Sequence, residues 1–157
     1  MARRRNRSLL RKILPDSVHN SELAAKFINS MMYSGQKSVA EKIFYDAIDI
    51  LTEKTGENGY IAFEKAMRAA EPTIEVKSRR VGGVTYQVPV EVYPVRKRSL
   101  AARWVIKSAR ARTGRSMSQK LANEFMDILN NTGGTLKKKE EVRKMAEANR
   151  AFSHYAW

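Results

Sequence analysis

The chain has 157 residues, 43% of them hydrophobic and 29% charged, so it is long enough to bury a core and too apolar to be a disordered segment. Thirty Lys and Arg oppose sixteen Asp and Glu, a formal net charge of +14, and there is no cysteine. Disulfides, thiolate metal sites and cysteine nucleophiles are thereby excluded. No apolar run approaches the roughly 20 residues that cross a bilayer. A charge excess that opposes compaction points to a polyanionic partner, nucleic acid ahead of an anionic membrane surface.

The opening stretch, MARRRNRSLLRK, carries Arg3, Arg4, Arg5, Arg7, Arg11 and Lys12 before the first acid, Asp16. It lacks the apolar centre of a secretory signal, so it reads as a flexible basic arm (1–18) that buries nothing alone and orders on a polyanion. Asn20 or Ser21 then caps a helix whose Leu23, Phe27 and Met31 recur at spacing four, and Gly35 ends it. Ser38 is the predicted cap of a second helix, with Val39, Ile43, Ala47 and Ile50 beside Ala40, Phe44, Ile48 and Leu51, stopped by Gly56. A third helix is predicted from Tyr60 to Ala70, closed by Pro72.

The stretch VKSRRVGGVTYQVPVEV (76–92) alternates with period two around Gly82-Gly83, the pattern of a β-hairpin (73–92) with a basic tip at Arg79 and Arg80. Pro89 cannot donate to a ladder and so belongs on a free edge. Two readings of the ribbon stand side by side: a connector folded back on the helices, or an arm offered to a partner whose phosphates the guanidinium groups fork onto.

After Pro94 the helical period returns up to about Arg112. Arg96, Arg103, Lys107 and Arg110 fall in one narrow stripe opposite Ala101, Ala102, Val105, Ile106 and Ala109, which predicts a phosphate-facing row backed by core. Trp104, at the stripe's edge, is expected to anchor the core rather than to stack on a base. A further helix is predicted from Ser116 to Asn130, ended by Gly133-Gly134. The last runs from about Leu136 to Ala151, with a thin stripe of Val142, Met145, Ala148 and Phe152. Lys137, Lys138 and Lys139 precede two glutamates and read as a mixed solvated face. With no internal repeat and no Pro- or Ser-rich linker, residues 1–157 read as a single domain.

Catalytic patterns are weak. His19 and His154 have no ligand spacing, and no P-loop or nucleophile elbow occurs. Asp46, Asp49 and Glu53 share a helix face but are expected to be an exposed acidic surface rather than a metal site. Neither an enzyme activity nor a cofactor is expected.

EVKSRRVGGVTYQVPVEV (75–92) followed by PVRKRSLAARW (94–104), with RKILPD (11–16), SELAAKFIN (21–29), MAEAN (145–149) and AFSHYAW (151–157), resembles the bacterial form of the universal S-seven family, the seventh protein of the small ribosomal subunit. The resemblance runs along essentially the whole chain; Gly35-Gln36-Lys37 lacks a lysine usual in that family. It implies a mainly α fold, a single bundle of about six helices with a protruding two-stranded β-hairpin. It also implies a primary rRNA-binding protein of the 3′ major domain of 16S rRNA that nucleates assembly of the 30S head. Such a protein lies at the subunit interface near the E-site tRNA and the mRNA path, beside other ribosomal proteins of head and platform. Carried over by position, the RNA-binding residues are the arm (Arg3, Arg4, Arg5, Arg7, Arg11, Lys12), Lys37, Lys77, and Arg96, Arg103, Lys107, Arg110, Arg112 and Arg115. The tip residues Arg79, Arg80, Gly82 and Gly83 would approach tRNA or mRNA. A cytoplasmic, ribosome-bound protein follows, with no membrane and no stable homo-oligomer. A DNA-bending architectural protein with a β-ribbon arm is the alternative, although such arms carry an apolar wedge at the tip.

Overall fold

The computed structural model describes residues 13–155, so the basic arm's Arg3, Arg4, Arg5, Arg7, Arg11 and Lys12 lie outside the described residues. Among the described residues six α-helices and one antiparallel hairpin follow one another in the order the sequence predicts, and a 3-10 segment comes after them.

Helix α1 (Glu22–Met31) starts at Ser21, whose hydroxyl accepts from the amides of Leu23 and Ala24. Ser38 does not cap α2 (Lys37–Thr55): the helix begins two residues earlier than that cap would set it, after Gln36, with no side-chain cap. Its far end is as expected, Gly56 at φ 68° donating its amide to Thr52 O. Asn58 caps α3 (Gly59–Ala70) through Tyr60 N at 2.9 Å. Gly59 is required by proximity, because a Cβ there would stand 2.3 Å from the Ile48 carbonyl of α2.

Four phenylalanines from four helices meet at the centre: Phe27, Phe44, Phe63 and Phe125, all fully buried. Ring centroids lie 5.1 Å apart for Phe44–Phe63 and 5.4 Å for both Phe27–Phe63 and Phe63–Phe125, all edge-on. Such pairs add about 0.5–1.5 kcal/mol each beyond the area they bury. Around them one continuous cluster takes in the inner faces of α1, α2, α3, α4 (Pro94–Ala111) and α5 (Met117–Leu129).

Helix α6 (Gly134–Ala148) is less embedded, and here expectation and structure part. Gly133-Gly134 does not terminate α5, which ends at Leu129; Gly133 precedes α6 at φ 99° and Gly134 is its first residue. The helix gives way after Ala148 to a 3-10 segment, Arg150–Tyr155. Its buried residues are Thr135 and Ala146, whereas Met145 and Ala148, placed on the predicted stripe, are exposed.

Strands β1 (Ile74–Val81) and β2 (Val84–Glu91) pair antiparallel from Ile74↔Glu91 to Val81↔Val84. Gly82 (φ 58°) and Gly83 (φ 87°) make the two-residue turn with both residues left-handed. Counting back from the closing pair, Val76↔Pro89 falls on a non-hydrogen-bonded position, so the missing Pro89 donor faces the free edge, as predicted. The register sets Glu75, Lys77 and Arg79 on the same face as Val90, Val88 and Tyr86. That face turns inward: Val88 is 0% exposed and Glu75 7%. Helix α6 packs on both strands, and Tyr86 meets Phe152 and Tyr155 of the 3-10 segment at 5.1 and 5.2 Å. One face of the ribbon is therefore covered from its base as far as Tyr86, and the ribbon is open beyond that, towards its tip.

Candidate nucleic-acid interface

Helix α4 explains how so basic a segment folds. Its eighteen residues hold six Arg and Lys and no acid. Like charges at helical spacing oppose the helix by a few tenths of a kcal/mol per pair. Neighbouring elements answer at the two ends. Arg96 Nε lies 2.8 Å from both carboxylate oxygens of Glu75, which also takes Lys77 Nζ at 3.1 Å. Burial works against ionisation of Glu75, yet Arg96 and Lys77 outweigh it and hold the carboxyl below the usual range. Arg98 approaches Glu71 at 4.0 Å. At the other end Arg110 donates to the Met31 carbonyl, 3.0 Å away, at the negative end of α1.

Arg112, just past α4, turns inward. Its Nε donates to Glu124 Oε2 at 2.6 Å and its terminal nitrogen to Asp127. Burial lowers the guanidinium's affinity for its proton, but the two carboxylates prevail and raise it. The other Glu124 oxygen accepts from Thr135 N at 2.9 Å and Thr135 Oγ1 at 2.6 Å, capping α6. Periodicity carries no signal for this, since the cap comes from a residue eleven positions away.

The middle of α4 is left uncompensated. Arg103 bonds only its own helix, at Ser99 O, and Lys107 makes no ion pair or hydrogen bond among the described residues. Both are exposed and line a groove between α4 and α6 together with Trp104 and Lys138. Trp104 is not a core anchor: it is half-buried and lies outside the central cluster. The three lysines also divide. Lys139 Nζ caps the end of α3 by donating to Ala69 O at 2.6 Å, while Lys138 stands in the groove near Glu141.

Elsewhere the candidate cations are spread. Lys37 opens α2, exposed and 3.6 Å from Glu41, and Arg115 is exposed in the α4–α5 connection. At the ribbon the Arg pair splits, because adjacent strand residues face opposite ways. Arg80, opposite Thr85, is exposed with Gly82 and Gly83, whereas Arg79, opposite Tyr86, is half-buried. A second cleft, about 330 Å³, opens between α1 and α4 and is lined by Ile13, Phe27, Lys26 and Arg98.

Where the described chain begins, Asp16 fixes it to the bundle. One carboxylate oxygen accepts from His19 N at 3.0 Å, the other from the Tyr45 hydroxyl at 2.5 Å. Burial, helped by Asp16, pushes the Tyr45 phenol up to about 12. His19 stacks on Tyr60 at 4.6 Å. Asp46, Asp49 and Glu53 are exposed, and no cluster of metal-ligating residues occurs among the described residues. No described helix is long and apolar enough to cross a membrane.

The sequence profile of the family "Ribosomal protein S7p/S5e" matches residues 3–150. The chain belongs to this family. Among relatives, "Small ribosomal subunit protein uS7" of Leptospira biflexa is 52% identical over 157 residues, all of both chains. The protein of the same name from Thermoanaerobacter pseudethanolicus is 56% identical over 147 residues, 94% of each chain. That of Helicobacter hepaticus is 52% identical over 154 residues, 98% of this chain and 99% of its own. These are names of a ribosomal protein and of no enzyme. For this S7p/S5e member the family resemblance read from 75–104 and the flanking segments is thus established, and the mainly α fold with its hairpin accords with it.

Proposed function

We propose that the chain is a structural constituent of the small ribosomal subunit that binds 16S rRNA directly, as one RNA-binding domain. It acts in the cytoplasm on the ribosome, nucleating the 30S head from the 3′ major domain beside other head and platform proteins, without stable self-association. The observation that carries this reading is the uncompensated centre of α4, Arg103 and Lys107, on a chain of the S7p/S5e family. Cations that no carboxylate answers gain most from phosphate, by releasing its counterions. From Arg96 to Arg110 the row spans about 21 Å at 1.5 Å per residue, enough for several phosphates.

Within the proposed contact set the roles differ. Arg103, Lys107, Arg110, Arg115 and Lys37 are exposed and face the RNA, with the arm from Arg3 to Lys12 added from sequence. Arg96 and Lys77 reach RNA while keeping Glu75, and Arg112 contributes chiefly by holding α4 against α5. The tip, Arg80 with Gly82 and Gly83, is offered to E-site tRNA or the mRNA path.

Competition between a folded 3′ major-domain RNA and duplex DNA at physiological salt tests the reading. A strong preference for the RNA is expected; equal affinity would favour the DNA-bending alternative instead.

A further inference from the structure

We propose that the groove between α4 and α6 is a base-stacking subsite, with Trp104 as the platform for an unpaired nucleotide of the bound RNA. The proposal rests on the rRNA-binding reading and adds to it a contact that is not electrostatic.

Trp104 is half-buried and apart from the central cluster, so its ring forms part of a groove wall rather than of the core. The cavity is about 390 Å³, within the range that holds small ligands. Its rim carries Arg103 and Lys107 from one helix and Lys138 from the other, against the single carboxylate of Glu141. Its lining also holds a hydroxyl, Ser108, that makes no hydrogen bond among the described residues. Gly134 lies over it, and a Cβ at that position would stand 3.1 Å from Ser108 Oγ. The absence of a side chain at Gly134 keeps that hydroxyl reachable.

These features call for one kind of ligand. The aromatic face takes a flat ring, the hydroxyl takes a polar ring edge, and the cationic rim takes an anionic chain attached to that ring. A nucleotide has all three. A paired base has its faces covered by its neighbours, so the ligand is a base from a loop, bulge or junction. An aromatic side chain of a protein partner would satisfy the indole and leave Arg103 and Lys107 without phosphate.

The sequence holds a second tryptophan, Trp157, so the test uses a Trp157→Phe background in which indole emission reports Trp104 alone. Titration with the folded 3′ major-domain RNA is expected to quench that emission with the same midpoint as binding measured by filter retention. Trp104→Ala is expected to weaken RNA binding by roughly fivefold to a hundredfold, the range for loss of one base–aromatic stack. Trp104→Phe should recover most of that loss. The slope of log K against log salt should stay unchanged, because no charge has been removed. RNA binding without quenching, or undiminished affinity in a folded Trp104→Ala protein, would overturn the stacking site and leave rRNA binding intact. No RNA binding by the Trp157→Phe protein would overturn both readings. The quenching arm needs no change at Trp104, so it stands even where Trp104→Ala unfolds.

Discussion

Arg112 and Glu124 form an ion pair, Nε to Oε2 at 2.6 Å, around a carboxylate only 1% exposed. Three elements depend on it: the end of α4, the face of α5, and the start of α6 through Thr135. A single buried carboxylate thus ties the end of α4 to the start of α6, beside the groove that holds Trp104. Removing one partner of a buried, hydrogen-bonded pair leaves the other uncompensated.

Glu124→Ala is therefore expected to lower stability by about 3–5 kcal/mol, read as a fall in the urea midpoint. Asp127 still holds the guanidinium, which favours the lower end. A change below about 0.5 kcal/mol, the size usual for surface substitutions, would show that the pair contributes nothing to the fold.

Lys107→Ala should do the reverse. Lys107 is exposed and has no partner among the described residues. Thermal stability should hold while the slope of log K against log salt for RNA falls by about one. An unchanged slope would place Lys107 outside the interface.

Glu75 gives the ribbon base an acid-sensitive joint. Its folded carboxyl titrates below its unfolded one, so its contribution to stability is full above the unfolded value and is lost as pH falls through the folded value. Glu75→Gln is expected to lower stability by about 1–3 kcal/mol at neutral pH. The difference from the parent should close as pH falls below the ordinary carboxylate range. Urea titrations at several pH values measure this, and a difference independent of pH would contradict it.

Tyr45 supplies the opposite limb. Its phenol moves from 10.0 to about 12 on folding, so the stability it adds is complete below the unfolded value and fades as pH rises through the folded one. Tyr45→Phe should remove that alkaline slope and cost about 1 kcal/mol at neutral pH through the lost bond to Asp16. Alkaline denaturation followed by circular dichroism checks both.

Much of this was legible. Ser21, Gly56, the Gly82-Gly83 turn and the free-edge Pro89 announce themselves because each acts within a few residues along the chain. The misreadings arise where the deciding partner is distant. Gly133-Gly134 looks like a stop because a glycine marks either end of a helix, and the α6 cap, Glu124, belongs to α5. Lys139 looks solvated until Ala69, seventy residues earlier, is brought beneath it. Trp104 looks like core because a helical wheel gives an angle and not the depth of the neighbouring helix. For the same reason the stripe on α4 predicted a row of equivalent cations. Glu75 and the end of α1 instead answer its ends and leave Arg103 and Lys107 open.

The ribbon tip separates along its pleat. Arg80→Ala should leave the free energy of unfolding within the range of ordinary surface changes, about ±0.5 kcal/mol, and lower tRNA retention by assembled small subunits. Unfolding of the isolated protein by that substitution would refute the assignment of Arg80 to an exposed tip.

Sedimentation of the native protein with small ribosomal subunits in high salt tests the central claim most directly. Surface electrostatics alone is screened under those conditions, whereas docking of the helix face, arm and ribbon into folded RNA persists. The protein is expected to travel with the small subunit after a high-salt wash. Its quantitative appearance in the free fractions, with the subunit intact, would contradict the account.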